Sequence, residues 1–572
     1  MTTARSTQCI RNTLLGLTAL PLVLAGAAFA DQLQVGPLIQ VTHGDPFAAC
    51  RRDDVAGQEA SLGSTLFPST AIEPSIAVDP TDAGRVLVAH QQDRWNDGGA
   101  RGLAGELSRI DDLDHWRSTI PPGVTKCSGG SFVRASDPWV AYANDGTAFF
   151  FSLTIDPASA DTPFGTSRTG LLMSRSTDHG LSWRPPVALI DETTTDALND
   201  KNSVTTDWVR NGNAYATWDR LSLVTTSVAA SKAQQAMPLP HLGREGVVIA
   251  RNEIARRRLA ATTAAANAAS AAAATITSFG PTLLSRTTNN GITWTRPATI
   301  YDPGPNNQTI NNIVQVGPDG SVYTFFTSII GAAPTIAIGF VKSTDQGVTW
   351  SGPTTAQLIP GSAVVTPDSG EAVRDAAILY SVAVNRRTGA LYLVWQDDRF
   401  SRAACTTPGA GAITVDGIAF SQSLDGGRTW STPIKVNQTP RNPNTCREQA
   451  FIPTIAAAND GRHLVVTYYD FRNDSNTPAG NEATDYFAVG CDVWSDCAKA
   501  RSWGGEARLT NTSFNILDAP FAGGHFLGDY MSLAAVDWSS VVPIFGIATG
   551  PNLTADFTRL IRASRFLDTS SR

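Results

Sequence analysis

One ten-residue pattern recurs along this chain and limits what it can fold into. The stretch SQSLDGGRTW at 421–430 returns as SRSTDHGLSW at 174–183, SRTTNNGITW at 285–294 and VKSTDQGVTW at 341–350. A worn version, SRIDDLDHW, stands at 108–116. A β-prone run precedes each copy and an apolar strand follows it, as in Pro186–Ile190, so each reads as a hairpin turn. The chemistry fits a stabilising role. An Asp or Asn side chain can accept backbone amides across the turn, Gly supplies a positive φ, and Trp covers the apolar face of the hairpin.

A second repeat runs ahead of the first. Ile72–Val78 followed by Arg85–His90 reads as strand, turn, strand, and the same unit returns at 137–153, 202–218, 311–327, 380–395, 452–469 and 529–548. An inner hairpin, a third strand, a turn and a fourth strand make one four-stranded sheet. Copies at this spacing predict an all-β chain folded as a β-propeller. The count is seven blades, or six if one unit is misassigned. The last hairpin is followed by the strand-like Thr558–Arg562 alone, so its outer strand is expected from Leu33–Val41, which would close the ring with both chain ends and remove its open edges. One segment breaks the rhythm: residues 222–280, within the third unit, include RNEIARRRLAATTAAANAASAAAA and read as a helical or low-complexity insertion.

Residues 1–30 read as a signal peptide. Arg5 and Arg11 precede an apolar run that ends in Ala28-Phe29-Ala30, a small-x-small cleavage pattern, and Pro21 interrupts a run that is already short for a membrane span. The expected mature chain, 31–572, is one propeller domain, secreted or periplasmic. Losing two arginines takes the net charge from −7 to −9, which gives no electrostatic reason to bind nucleic acid or an anionic membrane, and no later stretch is apolar enough to span a bilayer. Cys50, Cys127, Cys405, Cys446, Cys491 and Cys497 remain, enough for three disulfides; Cys491 and Cys497 are close enough for a local bridge, and the other pairing is open. No CxxC or paired-His spacing points to zinc, and none of the seven histidines has metal-ligand spacing; His525 alone stands near a site position. No cofactor fingerprint is present; a structural Ca²⁺ among carboxylates is compatible with the composition, although there is no loop of EF-hand type.

The pattern S-x-D-x-G-x-T-W is the Asp-box, or BNR repeat, and four copies between such hairpins resemble the sialidase (neuraminidase) superfamily. The resemblance covers essentially the whole mature chain. It implies a six-bladed propeller with an Arg-Ile-Pro motif near the start, three arginines that hold a carboxylate, a Tyr/Glu nucleophile pair and an Asp acid/base. This chain has Glu73-Pro74-Ser75-Ile76 where the arginine motif would be expected.

In a propeller, the start of strand one and the end of strand two converge on one mouth of the central channel, while the Asp-box turns lie at the opposite face. The converging positions are polar: Glu73, Asp137, Lys201, Asn311, Tyr380, Glu448 and Asp529-Tyr530 before first strands, and Arg94, Arg220, Arg399 and Arg472 after second strands. The expected catalytic set is Glu73, Asp137, Tyr380, Glu448, Asp529 and Tyr530. The four arginines are the expected binders of an acidic sugar, through bidentate guanidinium contacts. Two functions follow. One is exo-glycosidase hydrolysis of sialidase type acting on a glycan. The other is a non-catalytic propeller that binds polysaccharide or a protein partner at the cell surface, with the repeated Asp-Arg pairs serving as ties between blades. Oligomeric state is not encoded in these patterns.

Overall fold

A computed structural model describes residues 33–568 apart from 51–61, 226–275, 550–560 and a few shorter stretches. The expected signal peptide and most of the Ala-rich insertion lie outside the described residues. The two ends of the insertion do not: Ser222–Thr225 and Ile276–Phe279 pair as antiparallel strands, extending the hairpin where helix or loop was expected.

The described chain is all-β, in antiparallel sheets with a few 3₁₀ turns. Each inner unit of the sequence is a hairpin, from Leu66–Val78 with Arg85–Trp95 to Ser532–Ala535 with Ser540–Gly546. A third and a fourth strand add outward in chain order. Gln308–Val316, Val322–Ile330, Thr335–Ser343 and Thr354–Leu358 are a representative set. The final hairpin takes Ile561–Ser564 as its next strand and Leu38–Gln40 beyond that, so the N-terminal segment completes the sheet begun by the C-terminal one.

The first strands pack side by side, and polar side chains stitch them together. Val140 N donates to Ser75 Oγ (3.1 Å), Asn202 Nδ2 to the Asp137 carbonyl (3.0 Å) and Thr205 Oγ1 to the Val314 carbonyl (2.8 Å). Gln315 Nε2 donates to the Val382 carbonyl (3.3 Å), Ile455 N to Ser381 Oγ (3.2 Å) and Thr454 Oγ1 to the Met531 carbonyl (3.2 Å). Ile76 N then donates to Ser532 Oγ (3.0 Å), which returns the series to the first hairpin. An innermost strand has one unpaired edge, and these side chains satisfy groups that no fifth strand reaches. Apolar side chains fill the space between neighbouring sheets, for example Phe149, Phe151 and Trp218.

The four close copies of the repeated turn share one bonding scheme. In the last, Ser423 Oγ donates to Asp425 Oδ1 (2.9 Å), Gly427 N to Ser423 Oγ (2.9 Å), and Thr429 N and Oγ1 to Asp425 (2.9 and 2.7 Å). Asp178, Asn289 and Asp345 occupy the same role in the others. The residue after the acid or amide reaches the inner turn of the preceding sheet: His179 Nδ1 meets Asp79 Oδ2 (2.5 Å), Asn290 meets Asp145 (2.6 Å) and Gln346 meets Asn213 (2.9 Å). Inner turns and Asp-box turns therefore share one face. The cysteines pair as Cys50–Cys127, Cys405–Cys446 and the local Cys491–Cys497.

Candidate functional site

The first strands carry a repeated irregularity that aims side chains at the centre of the ring. Glu73, Asp137, Lys201, Asn311 and Ile452 all have positive φ, between 46° and 59°. At each, the register with the second strand slips, so extra residues on the first strand face the ladder. These are β-bulges, which turn a side chain out of the pleat at a backbone cost of about 1–3 kcal/mol per non-glycine residue. Glu73, Asp137 and Ile452 are each followed by proline, which has no N–H to lose from the ladder.

Two of these residues, Lys201 and Glu73, meet Asp529, from the turn before the last hairpin, and Lys201 also holds Asp137. Lys201 Nζ lies 2.5 Å from Asp529 Oδ2 and 3.3 Å from Asp137 Oδ1. Arg374 grips the other side of Asp529 in a fork, Nε to Oδ1 and Nη2 to Oδ2, both 2.7 Å. Glu73 accepts from Gln91 Nε2 and from the Asp529 backbone amide (3.4 Å). Arg94 donates to Gln91 Oε1 (2.9 Å) and stacks on Phe526 beside Arg374. All of these charged groups are buried.

Burial and neighbours divide the carboxyls. Burial, then the nearby Asp137 charge, pushes Glu73 up to about 8 against the pull of Lys201. Burial would raise Asp529 too, but Arg374 and Lys201 outweigh it and hold that carboxyl well below its ordinary range. Burial opposes the Lys201 ammonium, yet Asp137, Asp529 and Glu73 together hold it protonated, above the usual lysine range. One protonated acid thus stands beside one fixed carboxylate.

Below the bulges is a cavity of about 590 Å³, its open mouth included. Asp137, Lys201 and Asp529 line one side, and Asn202, Asn311, Asn312, Tyr380 and Thr454 add polar groups. Trp139 and Tyr530 form an aromatic corner, ring centroids 5.6 Å apart. Lys201 Nζ stands 5.7 Å from the Tyr530 ring centre.

The other expected site residues have different surroundings. Tyr380 lines the cavity, but its hydroxyl donates to the Asn311 carbonyl (2.9 Å), and burial raises its pKa well above the ordinary value. Glu448 is buried in the 3₁₀ turn Cys446–Glu448, beside the Cys405–Cys446 bridge, and does not line the cavity. Arg220 Nε donates to Glu192 Oε2 of the preceding sheet (2.9 Å). Arg399 folds back on Asp397, with Nε 2.9 Å from Oδ1, and Arg472 binds Asp470 (2.7 Å) and Glu506. These three arginines are ties within and between sheets and do not line the cavity, the place that the second of the two expected functions gave the repeated Asp-Arg pairs. Sequence reasoning missed Arg374 and Gln91. Arg374 sits in the long connection before Tyr380, where no repeat marks it; Gln91 stands within a second strand, three residues before Arg94.

Asp368, Asp474 and Glu482 bring carboxylate oxygens within 4.8 Å of one another, a grouping that suits a cation. Arg447 already bonds Asp368 and Asp474, both at 2.7 Å, and supplies positive charge there.

No known family profile matches this chain, and no curated protein sequence does. Among solved structures, a protein of unknown function from Dyadobacter fermentans is 12% identical over 88% of this chain and 96% of its own, with a TM-score of 0.41. The Hadza microbial sialidase Hz136 is 13% identical over 85% and 77%, TM-score 0.40. An α-L-arabinanase of Penicillium chrysogenum is 10% identical over 76% and 94%, TM-score 0.39. Likeness this remote bears on neither substrate nor mechanism.

Proposed function

We propose that this chain is an exported, seven-bladed β-propeller of Asp-box type that binds glycan in its central cavity and does not hydrolyse it by the sialidase route. The observation that carries the binding role is the Trp139–Tyr530 corner set over Asp137, Lys201 and Asp529. Aromatic faces cover the C–H face of a sugar ring, while amides, carboxylates and an ammonium satisfy its hydroxyls. The blade count is supported by the closed series of hydrogen bonds between first strands, and export by three disulfides in a chain with a signal-like start. Against sialidase chemistry stand the tied arginines and the Tyr380 hydroxyl committed to a backbone carbonyl.

A glycan array followed by calorimetry tests this reading. Binding is expected, weakened at least about ten-fold by Trp139→Ala, the loss of one buried aromatic contact of about 1.4 kcal/mol. Release of the fluorophore from a fluorogenic sialoside would overturn the non-catalytic half, and an empty array would overturn the binding half.

A further inference from the structure

The two ends of the central cavity are built differently. Where the first strands begin, it is closed. Ile72, Ala522 and Phe526 pack together there, and the connection carrying Arg374 is bonded to the one carrying His525, Arg374 N to the His525 carbonyl (3.0 Å) and His525 N to the Ala372 carbonyl (2.9 Å). Residues just before the bulges are sealed as well: Ser136 and Phe451 are 0% exposed and Ile310 1%. Past the bulges, toward the Asp-box face, exposure returns. Trp139, Ile313, Ser381 and Pro453 are half-buried, and so are Ala141 and Gln315 two residues further along their strands.

The charges of the cavity wall are also already matched. Asp137, Lys201 and Asp529 are the charged residues that line it. Lys201 is held between the two carboxylates, and the Arg374 fork lies against Asp529 on the closed side. A sugar carboxylate would have to take Lys201 from partners already at ion-pair distance and would add a third anion to a desolvated site.

We infer that ligand enters the cavity from the face carrying the Asp-box turns, along the axis of the ring, and that the group reaching its floor is an uncharged saccharide. The sequence expectation placed recognition at the opposite mouth; the closed loops there and the half-exposed strand positions here reverse it. The ligand class rests on the glycan-binding reading, whereas the route stands on the wall of the cavity alone.

Two measurements keep the two parts separate. In the first, Ile313→Cys introduces a thiol in the cavity, where the described cysteines are all in disulfides. Labelling by a small methanethiosulfonate reagent is followed by intact mass. Labelling is expected, and Gln315→Trp or Ala141→Phe, each checked for an unchanged circular dichroism spectrum, should slow it at least ten-fold. Equal rates in both bulky backgrounds would overturn the route. In the second, lactose and sialyllactose are compared as neutral and acidic probes within a panel of neutral oligosaccharides. At least one neutral member should bind with an affinity that falls ten-fold or more in Gln315→Trp, and tighter binding of sialyllactose would overturn the ligand class. Protected labelling with no sugar bound would uphold the route and reject the glycan reading.

Discussion

Lys201 and Asp529 stand 328 residues apart in the chain and 2.5 Å apart in space. Their contact joins the third hairpin to the turn before the last one, across the centre of the ring. Removing the lysine leaves Asp137 and Asp529 buried with less compensation. Lys201→Met should therefore cost about 3–5 kcal/mol of stability, the usual penalty for breaking a buried pair from one side. Urea denaturation with an unchanged slope would check it. A loss under 1 kcal/mol would mean that the pair is solvated in solution.

Glu73 makes stability depend on pH in a stated direction. Its folded pKa of about 8 lies above the unfolded value of 4.5, so between those limits the folded state holds a proton that the unfolded state has released. Its favourable contribution is full below about pH 4.5 and is lost as pH rises toward 8. Glu73→Gln removes this dependence. The melting temperature of that variant, relative to the parent, should rise steadily from pH 5 to pH 8. A constant difference would place the Glu73 titration elsewhere.

Asp425 works in the opposite sense. Bonds from the side chain and amide of Thr429, with help from Ser423, lower its pKa to about 2. The stability it gives is present above the ordinary value of 3.8 and is lost as pH falls through about 2. Asp425→Ala should lower the melting temperature at neutral pH, and the gap should close below pH 3. Glycan binding and Ile313→Cys labelling should not change, because the turn lies away from the cavity lining. A change in affinity without a change in melting would assign this turn to recognition.

Much of the architecture was legible because it is repeated. Ser423, Asp425, Gly427 and Thr429 carry a local bonding scheme that recurs with the same spacing, and a local scheme can be read from a local pattern. Glu73, Asp137 and Lys201 were legible for a similar reason, since each holds the same place, the bulge, within a first strand. Arg374 was not. Its role depends on a long connection folding over the ring, which no periodicity records. The arginines after the second strands show the converse: Arg220, Arg399 and Arg472 are ties within and between sheets, the role that the binding-module reading gave their repeated Asp-Arg spacing, and repetition reports the scaffold before the site. The left-handed backbone at Ile452 was also hidden, as a β-branched residue gives no local hint of positive φ.

The strand Leu38–Gln40 pairs with Ile561–Ser564, which gives the fold a schedule as well as a shape. During synthesis Leu38–Gln40 must wait, unpartnered, until Ile561–Ser564 has followed it. Every other sheet can assemble from residues that emerge together, but the one joining the ends has no early form. The ring thus remains an open arc until those strands meet, and Lys201 gains its partner Asp529 only as the arc shuts.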